Sequence, residues 1–125
     1  MLGYFDAKDG CPKVMLEIKG TRRASKQIAA LFDTGHNGSL SLSVLDLIEI
    51  GARPSSIGEV MFADGFKKTQ LNFSVKVTID GQEKDVEATM IENPEATEPI
   101  AGTELFSNYL AEVDFKNRTL KFTKI

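Results

Sequence analysis

Leu31-Phe32-Asp33-Thr34-Gly35-His36-Asn37-Gly38-Ser39-Leu40 is the stretch that decides how this 125-residue chain reads. An apolar run over residues 29–32 has the pattern of a strand and delivers Asp33 at its end. A carboxylate placed there is held rigidly and partly desolvated; the hydroxyl of Thr34 can hold the turn, and Gly35 permits a backbone that other residues would strain. By composition alone, Asp-(Ser/Thr)-Gly falls in on the order of one chain of this length in twenty. The weight therefore rests on what surrounds it.

Toward the N-terminus, Val14, Leu16 and Ile18 alternate with Met15, Glu17 and Lys19, which predicts a half-buried strand. A polar turn over residues 20–23, with Arg22 and Arg23 solvated, leads into a strand over 25–32 that becomes continuously apolar at Ile28 and runs into the core. Toward the C-terminus, Ser43 supplies a capping hydroxyl and Asp46 an acid before Leu47, Ile48 and Ile50, and Gly51 is a stop. A helix of about two turns is expected there. After a turn over 53–56, runs at 57–63 and 66–79 flank Asp64-Gly65, a strong signal for a two-residue hairpin. Leu71, Phe73, Val75, Val77 and Ile79 alternate; Asp80-Gly81 repeats the signal, and 83–91 pairs back with Val86, Ala88 and Met90 on one face. Residues 92–98, holding Pro94, form a loop, and Ile100-Ala101-Gly102 a short buried strand. Thr103 can cap a helix over 104–109, and 111–115 with 119–122 form a last hairpin around Asn117. The expectation is one mostly β domain over residues 1–125, with two short helices.

Composition narrows the chemistry. With 42% hydrophobic and 26% charged residues, 18 acids against 15 Lys and Arg and a net charge of −3, there is no positive field to collect phosphates and no nucleic-acid partner is expected. No apolar run approaches the roughly 20 residues that cross a bilayer. Residues 1–14 carry Asp6, Asp9 and Pro12 where a signal peptide needs an apolar stretch, so a cytoplasmic protein without a membrane partner is expected. The single cysteine, Cys11, forbids an internal disulfide, and with His36 as the single histidine there is no Cys/His set for a structural zinc. Cys11, beside Gly10 and Pro12, reads as an ordinary thiol. Ser-His-Asp or Cys-His catalysis would have to run through His36. No metal or cofactor is expected, and carboxylates remain the most plentiful chemical resource.

In that context residues 31–40, followed by the short helix ending at Gly51, resemble the active-site turn of retropepsin-like aspartic proteases, above all the small single-domain bacterial and archaeal members. A second element of that family lies downstream: Ile100-Ala101-Gly102-Thr103-Glu104-Leu105-Phe106, with Val113-Asp114-Phe115 soon after. Between them, Met61-Phe62-Ala63-Asp64-Gly65-Phe66 falls where the family carries its flap hairpin. The resemblance runs from about residue 14 to residue 122 and implies a closed acid-protease β-barrel without metal or cofactor. It implies that Asp33 is the catalytic carboxylate, that Thr34 steadies the site across a symmetric interface, and that Gly35 lets backbone groups approach the substrate, with His36 and Asn37 completing the loop. By the same resemblance Ile100 and Ala101 back that loop, Gly102 opens the helix behind it, and Ala63, Asp64 and Gly65 form a flap tip flanked by Met61, Phe62 and Phe66. Two departures stand out. His36 occupies a place where viral relatives usually have a small residue. Thr103 and Asn37 stand where those relatives pair an arginine with an acid, so a neutral hydrogen bond would have to replace the ion pair.

The chemistry of such a site needs two carboxylates. A pair a few ångströms apart shares one proton; the ionised oxygen activates water while the protonated one polarises the scissile carbonyl. Asp9, Asp64 and Asp80 each precede glycine directly, without the intervening hydroxyl residue, and read as loops or turns. The second carboxylate must then be Asp33 of a second chain, on a two-fold axis. The leading expectation is a homodimeric aspartic endopeptidase acting on a peptide or protein substrate. The alternative is a catalytically inactive peptide-binding or dimerisation module on the same fold, and a monomeric enzyme pairing His36 with Asp33 comes last.

Overall fold

The computed structural model describes the chain apart from Arg22, Arg23, Phe62 and the side chain of Val60. The basic pair expected in a solvated turn and Phe62, expected in a flap, thus lie outside the described residues. Strands β1 (Tyr4–Phe5) and β2 (Pro12–Lys19) are followed by β3 (Ser25–Phe32), and the alternation expected in β2 holds: Val14, Leu16 and Ile18 are buried and Met15 is exposed. In β3, Ile28, Ala30 and Phe32 enter the core while Ala29 and Leu31 are half-covered.

β3 lies antiparallel to β2 and parallel to β8 (Ile100–Ala101). β8 is antiparallel to β4 (Leu40–Leu42), which runs parallel to β7 (Gln82–Met90). β7 is antiparallel to β6 (Lys67–Ile79), and β6 returns to β2 through Glu17↔Thr78, Ile18↔Val77 and Lys19↔Lys76. The pairings β2-β3-β8-β4-β7-β6 therefore close on themselves, with β1 and β5 (Arg53–Met61) outside the ring. Closing the sheet removes the edges that an open sheet would expose, and the inward side chains of all six strands meet in one cluster. Leu105, Phe106, Leu120 and Phe122 from the chain's end complete that cluster. Phe106 lies in a 3-10 turn, Thr103–Phe106, and the hairpin of β9 (Tyr109–Asp114) and β10 (Thr119–Lys124) closes the chain.

Helix α1 (Val44–Ile50) forms as expected. Ser43 Oγ accepts the Asp46 amide at 3.1 Å, and Gly51 ends the helix in the left-handed conformation. Asp46 is buried because Lys26 of β3 reaches it at 2.7 Å, which pins the helix to the barrel wall.

Three local expectations are corrected. Residues 53–56 are not a turn but the start of β5, with a register shift between Pro54 and Ser56. β5 is an edge strand, where a bulge accommodates a proline that cannot donate to a ladder. Asp64-Gly65 does not make a two-residue turn, since the last pair is Met61↔Lys67 and five residues connect the strands. Gly65 has φ +86° but Asp64 stays out of the left-handed region, its carboxylate accepting the Phe66 amide at 3.1 Å. Asp80 and Gly81, both at positive φ between the paired Ile79 and Gln82, do make the two-residue turn. Finally, the helix expected over 104–109 shrinks to the 3-10 turn, so the second of the two short helices is not an α-helix. From Tyr109 onward the backbone is claimed by the ladder with β10.

Candidate active site

Asp33 directly follows Phe32, the last residue of β3, and that strand end is anchored by aromatic packing. The Phe32 ring meets Phe106 and Phe122 edge-on, with centroids 5.6 and 5.2 Å away, while Phe106 and Phe122 stack at 4.5 Å. Residues from the 3-10 turn and the last strand thereby hold the strand that carries the carboxylate.

The backbone of the loop is bound to the segment around β8. Leu31 N–H donates to Pro99 O at 2.8 Å and Asp33 N–H to Ala101 O at 3.0 Å. Beyond β3 the pattern continues: Gly102 N–H donates to Ser39 O and Thr103 N–H to His36 O, each at 2.9 Å. Asp33 is half-buried. Its Oδ1 accepts the Gly35 amide at 2.8 Å and its carbonyl accepts the His36 amide at 3.2 Å, leaving Oδ2 without a protein donor among the described residues. An aspartate so held presents one oriented oxygen and one open oxygen.

Gly102 is a matter of space. A Cβ there would lie 2.1 Å from Gly38 O and 2.6 Å from His36 O, closer than bonded neighbours of a packed loop can yield. Glycine is what lets the two loops touch, and Gly102 caps the 3-10 turn rather than opening an α-helix. Half-buried Ile100 and buried Ala101 pair with Leu31 and Phe32 of β3. Thr34, Gly35 and Asn37 are exposed. Thr103 makes its neutral contacts with the His36 carbonyl, through its amide and, at 3.4 Å, its hydroxyl, and not with the Asn37 side chain. His36 Nε2 shares a 3.3 Å hydrogen bond with Ser41 Oγ.

Of the residues expected to form a flap, Met61, Ala63, Asp64, Gly65 and Phe66 are all exposed, with Met61 and Phe66 presenting 66% and 73% of their surface. A concavity of about 600 Å³ is lined by Gly38, Ser39, Asn72, Lys76, Glu87 and Glu104 and does not include Asp33.

Three kinds of support for the loop carry no distinctive sequence signal: the aromatic pair Phe106 and Phe122, Ser41, and Lys13. Phe106 and Phe122 look like any core aromatics, and Ser41 like any strand serine. Lys13 is the third: its Nζ lies 2.9 Å from Asp6, 2.9 Å from Asp9 and 3.0 Å from Glu98, next to Pro99, with the side chain only 10% exposed. Hydrogen bonds that the Lys13 ammonium donates to Asp9, Asp6 and Glu98 hold it above the ordinary lysine range. The Lys13 hydrogen bond, followed by the backbone amides of Lys8 and Cys11 respectively, holds the Asp6 and Asp9 carboxyls below theirs. The i,i+4 spacing of Asp9 and Lys13 is visible in the sequence; the approach of Glu98 is not. Burial, then the Asp9 charge, pushes the Cys11 thiol up, in keeping with an inert thiol. No group of three or more metal-binding side chains occurs among the described residues. No described helix is long and apolar enough to cross a membrane.

These features define a retropepsin-like fold. The solved structure of EIAV protease complexed with the inhibitor HBY-793 matches it with a TM-score of 0.57 at 13% identity, over 82% of this chain and 90% of that one. No protein-family model matches the sequence, and no curated protein sequence matches it.

Proposed function

We propose that the chain is a single-domain aspartic endopeptidase of retropepsin type, active as a homodimer in which two Asp33 carboxylates share a proton and activate water. The observation that carries this is the presentation of Asp33: a half-buried carboxylate at the end of a core strand, with Oδ1 bound to the Gly35 amide and Oδ2 open. The protease-like fold supports it. Exposed Thr34 and Gly35 suit a site finished by a second copy. Residues 61–66 serve as the flap, their exposed Met61 and Phe66 closing over an extended peptide. Residues 1–125 act as one domain, in a cytoplasmic setting.

The deciding test is a peptide-library cleavage assay from about pH 3 to 8, the span over which perturbed carboxylates titrate, with wild type and Asp33→Asn side by side. The wild type should cleave with a bell-shaped profile on the acidic side, its two apparent values belonging to the pair. Asp33→Asn should lose hydrolysis while keeping its fold, because an amide of the same size neither takes the water's proton nor shares one with its partner. Self-association by sedimentation should track activity across a concentration series; full activity in a monomeric sample would reject the dimeric dyad. The exchange of an arginine–acid pair for the contacts of Thr103 with the His36 carbonyl favours a second reading, an inactive peptide-binding module. Peptide binding without cleavage, by a confirmed dimer, would select it.

A further inference from the structure

His36 is the single imidazole of the chain, and the fold makes room for it at two glycines. A Cβ on Gly102 would lie 2.5 Å from His36 Cδ2, and one on Gly38 would lie 3.3 Å from Nε2. The ring of half-buried His36 thus lies close against the backbones of Gly38 and Gly102. Its Nε2 is 3.3 Å from the hydroxyl of Ser41, a buried residue in the middle of β4. Its amide donates to Asp33 O at 3.2 Å and its carbonyl accepts Thr103 N–H at 2.9 Å. One residue therefore ties together the Asp33 turn, the β4 strand and the segment after β8.

We propose that His36 is a positioning residue for Asp33: the bond from its ring to Ser41 sets the angle at which the turn presents the carboxylate. The inference rests on reading Asp33 as the catalytic group. The other ties of the turn to its surroundings, backbone hydrogen bonds and the 3.4 Å bond from the Thr103 hydroxyl to the His36 carbonyl, fasten its main chain to the segment after β8 and leave its tilt against β4 free. The His36 ring reaches into the barrel wall and removes that freedom, and the His36 amide passes the constraint directly to the Asp33 carbonyl. A general-base role fits less well, because Nε2 is already engaged by a buried hydroxyl. An alanine at position 36 leaves a void beside Gly102 and a buried hydroxyl without its partner. Glutamine places a polar atom at about the reach of Nε2 and can restore the bond in either donor sense.

The experiment compares wild type, His36→Ala, His36→Gln, Ser41→Ala and the double alanine variant by cleavage kinetics, thermal unfolding and amide hydrogen exchange at Gly35 and Thr103. His36→Ala is expected to lower kcat by about tenfold to a hundredfold with KM nearly unchanged, the scale of a slightly misplaced catalytic group. His36→Gln should recover most of it, and the losses from His36→Ala and Ser41→Ala should not add in the double variant. Additive losses, unchanged kcat in His36→Ala, or equal losses in the alanine and glutamine variants that merely follow their thermal midpoints would each overturn the proposal. If the wild type cleaves nothing, the catalytic reading fails by itself, and the exchange data judge His36 separately. Faster exchange at Gly35 and Thr103 in His36→Ala, but not in His36→Gln, supports the strut; identical exchange in all variants rejects it.

Discussion

The Asp33 loop and the tip of the β5–β6 hairpin are both glycine-containing turns between strands, yet they are held in opposite ways. The loop is fastened by residues distant in sequence: Ala101, Gly102, Thr103 and Glu104 bond to Asp33, Ser39, His36 and Gly38, and Phe122 of the last strand packs on Phe32. Among the described residues the tip is fastened to itself, through the Met61↔Lys67 pair and the Asp64 carboxylate on the Phe66 amide, and a Cβ on Gly65 would meet nothing within 4 Å. The difference teaches that rigidity here is a property of tertiary contacts and not of turn type. Few buried contacts and exposed hydrogen bonds mark segments that open at low free energy, whereas a loop bound on two sides opens only with its neighbours.

The largest test of this contrast is Phe122→Ala. It should cost about 3–5 kcal/mol in denaturant unfolding, the usual loss for a buried phenylalanine, and should accelerate exchange of the Asp33 amide without touching residues 63–66. Equal acceleration at both sites would break the comparison. Gly102→Ala should cost about 1–3 kcal/mol or more, as overpacking against a backbone carbonyl that cannot swing aside. Gly65→Ala, strained by its φ of +86° but open to solvent, should cost only about 1 kcal/mol.

The Lys13 cluster offers a sharper test through pH. Asp6 and Asp9 have carboxyls held below the ordinary range in the folded chain, so their contribution is fully present above the unfolded value of about 4. It is lost as pH falls through the lowered folded values. The stability gap between wild type and Lys13→Met should therefore be widest near neutral pH and narrow steadily in acid. A gap that stays constant down to about pH 2 would show that Lys13 acts through packing alone. The smallest effect is expected for Phe66→Ser, within about 0.5 kcal/mol of wild type in stability. If residues 61–66 form the flap, the same variant should raise KM for extended peptides. Unchanged KM would remove Phe66 from that role.

Strands could be read from the alternation at 14–19 and 71–79 and from the continuous apolar run that ends 25–32, because both patterns are properties of neighbouring positions. The caps of α1 were equally legible, since Ser43 and Gly51 act within four residues of themselves. Two Asp-Gly pairs looked alike in sequence and differ in structure. Asp80-Gly81 is clamped between the paired Ile79 and Gln82, while Asp64-Gly65 has an aspartate side chain that captures the Phe66 amide and opens the turn. The helix expected over 104–109 failed for another reason, since strand pairing with residues 119–124 outcompeted local helix signals.

The β class, the helix at 44–50 and the Asp33-Thr34-Gly35 turn were legible in residue types alone, the last two within a few positions of one another. Only the tertiary structure decided that the six strands close into a ring, that Gly102 presses on Gly38, that Lys13 gathers Glu98 with Asp6 and Asp9, and that the His36 ring finds Ser41. Gly102 and Gly38, and Lys13 and Glu98, are dozens of positions apart, and even His36 and Ser41 meet only because the Asp33 turn folds back toward β4. Periodicity and capping rules describe which face a residue takes; what that face meets depends on how the chain closes, which no local pattern encodes.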